Sequence, residues 1–236
     1  MNANLDPAKI VETVDVLERR VVERFPQSGL SKVAASLNQV ARLAAERTER
    51  LRRPYWLIRF GVAATIAAAI AAQIAAVRLV HIDPLHADAV TLAQGLDSAF
   101  NLLAIASATV WFLLTIEERT KRARALSALH ELRSLAHVVD MHQLTKDPTI
   151  LLANFHQRTS HSPARAMSRF ELTRYLEYCS EMLALIGKLA ALYAEGARDA
   201  VLIEAVNDVE TLAGNLGRKI WQKITIIEQL DEQSAR

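Results

Sequence analysis

Two kinds of hydrophobic pattern share this chain. Phe60–Val77 (FGVAATIAAAIAAQIAAV) and Ser98–Ile116 (SAFNLLAIASATVWFLLTI) are apolar on every helical face and hold no Asp, Glu, Lys or Arg. Each has about the length a helix needs to cross a ~30 Å hydrocarbon core. Elsewhere apolar residues recur every three to four positions, which is the signature of helices with one buried face. The first seam is Ile10, Val14, Leu17 and Val21; the second is Val33, Leu37, Val40, Ala44 and Leu51. Ala125, Ala128, Leu129, Leu132, Leu135, Ala136 and Val139 form a third.

The C-terminal part carries two more. One row is Leu172, Leu176, Cys179, Leu183, Ile186, Ala190 and Tyr193, widened by Tyr175, Met182, Leu185, Leu189 and Leu192. That width suits a bundle better than a two-helix seam. The other row runs Leu202, Val206, Val209, Ala213, Leu216, Ile220, Lys223, Ile227 and Leu230, with Lys223 as its one break. A lysine stem reaching solvent at the bundle edge explains Lys223 most simply; a negative partner or a register-setting polar position is the alternative.

Punctuation supports the same elements. Asp6-Pro7 reads as an N-cap with proline at the first helical position, and Asp147-Pro148 repeats it before a short helix, TILLANFHQ. Ser168 and Glu171 form an S-x-x-E capping box, Asp199 caps the last helix, and Gly196 ends the helix before it. Glu118–Asp140 has neither Gly nor Pro, so one helix is expected from Asp97 to Asp140. No alternating β pattern stands out. The expected fold is all-α: a transmembrane helical hairpin with a cytoplasmic helical bundle, and a long stalk helix continuing from the second span. The expected domains are an N-terminal αα-hairpin (1–54), a two-span hairpin (55–116, spans about 57–79 and 97–116) and a C-terminal bundle (117–236).

Charge gives the hairpin an orientation. Arg47, Arg50, Arg52, Arg53 and Arg59 precede or open the first run, and Arg119, Lys121, Arg122 and Arg124 follow the second. The connection His81–Gly95 has no Lys or Arg but carries Asp83 and Asp88. Retention of positive charge inside predicts both termini in the cytoplasm, with Asp83-Pro84 in an external turn. Tyr55, Trp56, Trp111 and Phe112 stand where interfacial aromatic anchors belong. The apolar run lies too far from Met1 for a cleaved signal peptide. The expected location is the bacterial inner membrane, with the chain multi-pass.

Composition narrows the rest. Of 236 residues, 51% are apolar and 23% charged, and the formal net charge is +2. That excludes a disordered chain and gives no global attraction to nucleic acid. A single cysteine, Cys179, excludes a disulfide framework and a multi-cysteine metal site. Cys179 lies in a core row, so packing explains it better than nucleophilic chemistry does.

Three stripes are candidates for function. Ala64, Ala68, Ala72 and Ala76 form a small-residue row on the first span, with a second row at Gly61, Thr65 and Ala69. Such rows let helices approach closely in lipid. Asp97, Asn101, Ala104, Ala108, Trp111 and Thr115 share one face of the second span. These stripes either pack on each other within one hairpin or associate between copies. One form of such association has the second span lining a water-filled pore, with Asp97 and Asn101 near its outer mouth. On the stalk, His130, Arg133, His137 and Asp140 form a polar stripe. A solvated helix face accounts for it; a pH-responsive or anion-binding stripe is the alternative. Its two histidines are about 10 Å apart along the axis, too far to share a metal ion. No metal ligand set, cofactor motif or catalytic constellation emerges. The segment GRKIWQKI pairs Arg218, Lys219 and Lys223 with Trp221, best explained as an ordinary amphipathic helix.

Two segments carry a family resemblance. LHELRSLAHVVDMHQLTKDP (Leu129–Pro148) and GRKIWQKI (Gly217–Ile224) resemble a family of small bacterial two-span membrane proteins. The layout is more distantly similar to SLATT-type two-span effectors, which implies action at membranes. Neither resemblance brings a catalytic residue. Arg124 and His130 also fit the loose R-x4–6-H spacing of HEPN ribonucleases.

The leading expectation is therefore a non-enzymatic inner-membrane protein. Its partners are the lipid bilayer, further copies of itself and a cytoplasmic protein, with no nucleic acid. An oligomeric ion channel or membrane-disrupting effector is the first alternative. A membrane-tethered HEPN-like ribonuclease is the second.

Overall fold

The computed structural model describes residues 5–52, 56–79, 89–146, 148, 167–195 and 199–234. It is all-α: α1 (Pro7–Arg24), α2 (Gly29–Arg52), α3 (Trp56–Leu79), α4 (Ala89–Leu144), α5 (Arg169–Ala194) and α6 (Ala200–Ser234). Among the described residues there is no strand. The chain divides into two compact units: Met1–Arg50 with Arg124–Arg236, and Leu51–Ala123. The N-terminal helix pair thus belongs to the same unit as the C-terminal helices. The division falls inside α4, which is a single helix of 56 residues. It starts eight residues before the expected Asp97 and ends four residues beyond Asp140.

In the larger unit, the seams written in the sequence are the core. Ile10, Val14, Leu17 and Val21 of α1 are buried, as are Val33, Leu37, Val40 and Ala44 of α2. Ala125, Ala128, Leu129, Leu132, Leu135, Ala136 and Val139 of α4 are buried too. Helix α5 lies at the centre, against α1 and α6, and buries both of its apolar rows. On α6 the buried row continues past Lys223 through Ile224 and Ile227.

The helix starts follow local chemistry. Asp6 accepts a hydrogen bond from Ala8 N–H at 2.9 Å, with Pro7 in the first turn. Ser168 and Glu171 form the reciprocal capping box, and Asp199 accepts from Val201 N–H at 3.0 Å. Between α1 and α2 the chain turns through Gln27, whose φ is 56°. The expected short helix after Asp147, the Gly196 stop, the external turn and Tyr55 lie outside the described residues.

Polar contacts tie the larger unit together around that core. Asn38 of α2 donates to Asp15 and Glu18 of α1. Arg20 of α1 pairs with Glu181 of α5 at 2.9 Å. Arg47 of α2 pairs with Glu131 of α4 at 2.8 Å, so this arginine is held by a bundle ion pair.

The smaller unit is built differently. Its helices α3 and the first part of α4 expose Trp56, Phe60, Ile66, Ile70 and Ile74, and Leu96, Phe100, Leu103, Ile105, Trp111 and Phe112. The two helices come close at Gly61, where an added Cβ would lie 3.6 Å from Leu113 Cδ1. Among the described residues, one helix is long and apolar enough to cross a membrane: Gly95–Leu144, with a window of mean hydropathy 1.9, none of it buried. Helix α3 supplies a shorter apolar stretch, Arg59–Ala75. That stretch falls just short of a span's length, so among the described residues two equal spans are not displayed.

Candidate functional site

The residues singled out on α3 and α4 fall into two sets. Gly61, Thr65 and Ala69 are half-buried, on the side of α3 that also carries Gln73. On α4 the half-buried positions include Ala99, Leu102, Ala106, Thr109 and Leu113, spaced three-four-three-four. By contrast, Ala64, Ala68 and Ala72 are exposed; the side chain of Ala76 is outside the described set. Asp97, Asn101, Ala104, Ala108 and Trp111 are exposed as well, and only Thr115 is half-buried. The two stripes therefore do not pack on each other. The second small row faces inward instead.

Polar groups on these helices turn back onto their own helix. Thr65 donates to the Gly61 carbonyl at 2.9 Å, and Thr109 and Thr115 donate to Ile105 and Trp111 carbonyls at 2.8 Å. Asn101 Nδ2 donates to Asp97 Oδ2 at 3.2 Å, one turn away. A hydroxyl satisfied by the carbonyl four residues back needs no water, which suits an apolar surrounding.

The stalk stripe is a solvated face. His130, Arg133 and His137 are exposed, and half-buried Asp140 accepts from Gln143 Nε2 at 2.5 Å. His142, outside that stripe, packs on the start of α2: a Cβ added to Gly29 would run into its ring. Arg124 and His130 lie six residues apart on α4, roughly 240° around the helix, so one copy does not bring them together. Among the described residues no three His, Cys, Asp or Glu side chains cluster as a metal site would require.

Lys223 is where the structure departs from the simplest sequence reading. Its ammonium does not merely reach solvent. Nζ donates to the Gln143 carbonyl at 3.0 Å and to Gln143 Oε1 at 2.6 Å. Gln143 is 2% exposed and sits in the last turn of α4, where its carbonyl also accepts from Lys146 N–H at 3.0 Å. Lys223 therefore caps α4 from another helix, with a charge of the sign that a helix C-terminus favours. Sequence periodicity marked the position but not its partner, which lies 80 residues away. Beside it, Lys146 stands over the Tyr175 ring at 5.0 Å. Cys179 is fully buried; burial pushes its thiol up to about 12, opposed by Lys146 and Lys223. At that value the thiolate is negligible near neutrality, and the residue is packing.

A second junction surrounds Arg47. Its hydrogen bond to Glu131 holds the guanidinium's titration above the usual value. Tyr193 Oη is buried beside it without a hydrogen bond of good geometry, and burial raises the phenol while Arg47 pulls it back. Both junctions join helices of the bundle.

A groove lies on the bundle surface. It lies along the outer side of α5 and α6 with a volume of about 350 Å³, and Gly187, Gly214 and Trp221 are among its lining residues. Comparison with protein-family models, with curated proteins and with solved structures finds no match.

Proposed function

We propose that this chain is a non-enzymatic protein of the bacterial inner membrane, multi-pass with both termini cytoplasmic. In this reading α3 and the first part of α4 form the membrane hairpin, the rest of α4 continues as a stalk, and the helical bundle serves protein interaction or signalling. The protein self-associates. The observation that carries the reading is the continuous apolar exposure of the smaller unit, from Trp56 and Phe60 through Trp111 and Phe112.

A magnitude supports the reading. Leaving a large apolar side chain in water forgoes about 1.5–3 kcal/mol each. A dozen such side chains forgo on the order of 20 kcal/mol, more than the ~5–15 kcal/mol net stability of a typical domain. Lipid covers that surface without requiring a partner of matching shape. The back-bonded threonines fit the same surrounding.

Fractionation of cells expressing the full chain tests this directly. The protein is expected in the membrane pellet after an alkaline carbonate wash, and in solution only after detergent. Recovery in the first supernatant would remove the proposal.

The exposed Asp97–Asn101 pair favours one second reading, an oligomeric channel with these residues near the mouth. Planar bilayers holding the purified protein distinguish it: a conductance whose cation preference falls with Asp97→Asn supports a pore, and an electrically silent bilayer removes it.

A further inference from the structure

The face of α4 that α3 leaves uncovered carries a polar group that lipid does not satisfy. At about 100° per residue, Asp97, Asn101, Ala104, Ala108 and Trp111 centre on the side of α4 opposite the half-buried row of Ala99, Leu102, Ala106, Thr109 and Leu113. All five are exposed. Asn101 lies within the apolar run Ser98–Ile116, one turn inside Asp97. It uses one amide N–H on Asp97 Oδ2 at 3.2 Å; its other N–H and its amide oxygen have no partner among the described residues. Hydrocarbon offers neither donor nor acceptor to an amide. Thr109 and Thr115 meet that condition by bonding carbonyls four residues back, and Asn101 does not.

The same face is shaped for close approach. Ala104 and Ala108 form its floor, between Phe100 on one flank and Ile105 and Phe112 on the other, all three exposed. Small residues between large ones let two helices come together in lipid. The competing surface, Ala64, Ala68 and Ala72 of α3, is exposed too but holds no polar group, so lipid covers it without loss. On α4 a second copy does better than lipid. A rotation axis along the membrane normal keeps the termini of every copy on the cytoplasmic side and sets α4 parallel to α4 in equal register. Each position near the axis then meets itself. Asn101 opposes the second copy's Asn101, and an amide complements itself: the N–H of each donates to the carbonyl of the other. A carboxylate does not, but Asp97 lies one turn nearer the outer surface, where headgroups and water reach it.

We infer that the Asp97–Asn101–Ala104–Ala108–Trp111 face is the surface on which α4 binds α4 of a second copy of this chain, parallel to it and joined through an Asn101–Asn101 amide pair. The inference rests on the reading of the chain as a self-associating membrane protein, and it names the surface and the orientation. It differs from a channel, in which water would hold the same faces apart.

Cysteine scanning of the full-length chain in native membranes tests it, with buried Cys179 as the silent background. Under copper-phenanthroline oxidation, Ala104→Cys and Ala108→Cys are each expected to give a disulfide-linked dimer. Leu103→Cys and Ala106→Cys, which lie off the face, are expected to give little, because a disulfide needs its Cα atoms within about 7 Å. Asn101→Leu, added to Ala104→Cys, is expected to slow dimer formation roughly three- to thirtyfold, the range of one interhelical hydrogen bond in lipid. Leucine makes the span more apolar, so this variant stays in the membrane. Asn101→Gln keeps an amide and is expected to retain most of the rate. Equal cross-linking on and off the face, Asn101→Leu without effect, or Asn101→Gln no better than Asn101→Leu would each overturn the inference. So would cross-linking of Ala104→Cys to a different protein. Fractionation and particle mass in detergent separate the levels. A membrane-bound oligomer that cross-links only off this face keeps the proposed function and removes the contact. A membrane-bound monomer removes self-association as well, and a soluble chain removes the whole reading.

Discussion

The bundle and the hairpin are made of the same secondary structure and obey opposite rules of burial. In α5, Leu172, Leu176, Leu183 and Ile186 are buried on one side while Glu177, Glu181 and Lys188 remain accessible. In α3 and the first part of α4, large apolar side chains such as Phe60, Ile70, Phe100 and Leu103 face outward. Helical propensity is not what separates them, because both form long helices. The difference lies in where the apolar side chains find cover: the bundle supplies it from its own helices, whereas the hairpin leaves it to the surroundings.

Matched truncations give the largest expected break in that comparison. Leu183 is fully buried, and Leu183→Ala is expected to cost about 2–5 kcal/mol of bundle stability through lost burial and the cavity left behind. Leu103 is 65% exposed, and Leu103→Ala is expected to shift the same urea midpoint hardly at all. Denaturation of the detergent-solubilised chain, followed by circular dichroism, measures both. Equal losses at the two positions would mean that Leu103 is covered by protein after all, and the contrast between the regions would fail.

Much of this contrast was legible in the sequence. The buried faces of α1, α2, α4, α5 and α6 follow from spacing alone, since a 3.6-residue period fixes which side chains share a side. The caps at Asp6, Ser168 and Asp199 were equally readable, because they satisfy donors two or three residues away. What spacing does not contain is the partner of a side chain. Arg47 reads as one of a run of membrane-flanking cations, and only the packing of α2 on α4 assigns it to Glu131. Lys223 reads as a flaw in an apolar seam, and only the end of α4 explains it. The inward row of α3 was one of two equivalent small-residue rows until the close approach of Gly61 and Leu113 chose it. The α5–α6 groove is likewise a product of two helices, so neither helix alone announces it.

Lys223 offers a sharper and smaller test of the same lesson. If an apolar seam is all that matters in the bundle, Lys223→Leu completes the row and stabilises. If the cap matters, the change leaves Gln143 Oε1 without its cation and the Gln143 carbonyl with only the Lys146 N–H, and a buried acceptor left unpaired costs about 1–3 kcal/mol. The expected outcome is destabilisation by Lys223→Leu, read as a lower melting temperature than wild type. A raised melting temperature would show that burial outweighs the cap and that the sequence-level description of this position was sufficient.

The smallest expected effect belongs to the start of α5. Glu171 accepts from Ser168 N–H at 2.7 Å and from the Ser168 hydroxyl at 2.9 Å, and these bonds, the backbone one first, hold its carboxyl below the usual 4.5. A carboxylate held down in the folded state favours folding at pH above the unfolded value, and that contribution disappears as pH falls through the lower folded value. Ser168→Ala removes the hydroxyl side of the box and is expected to cost about 0.5–2 kcal/mol near neutrality. Glu171→Gln keeps an acceptor but not the charge, so its urea midpoint is expected to fall below wild type at pH 7 and to meet it under acid conditions well below pH 4.5. This response should appear in the bundle alone, because the box lies wholly within it. A wild-type advantage over Glu171→Gln that persists undiminished in acid would show that the carboxylate's charge contributes nothing, and that the turn is held by backbone geometry and packing instead.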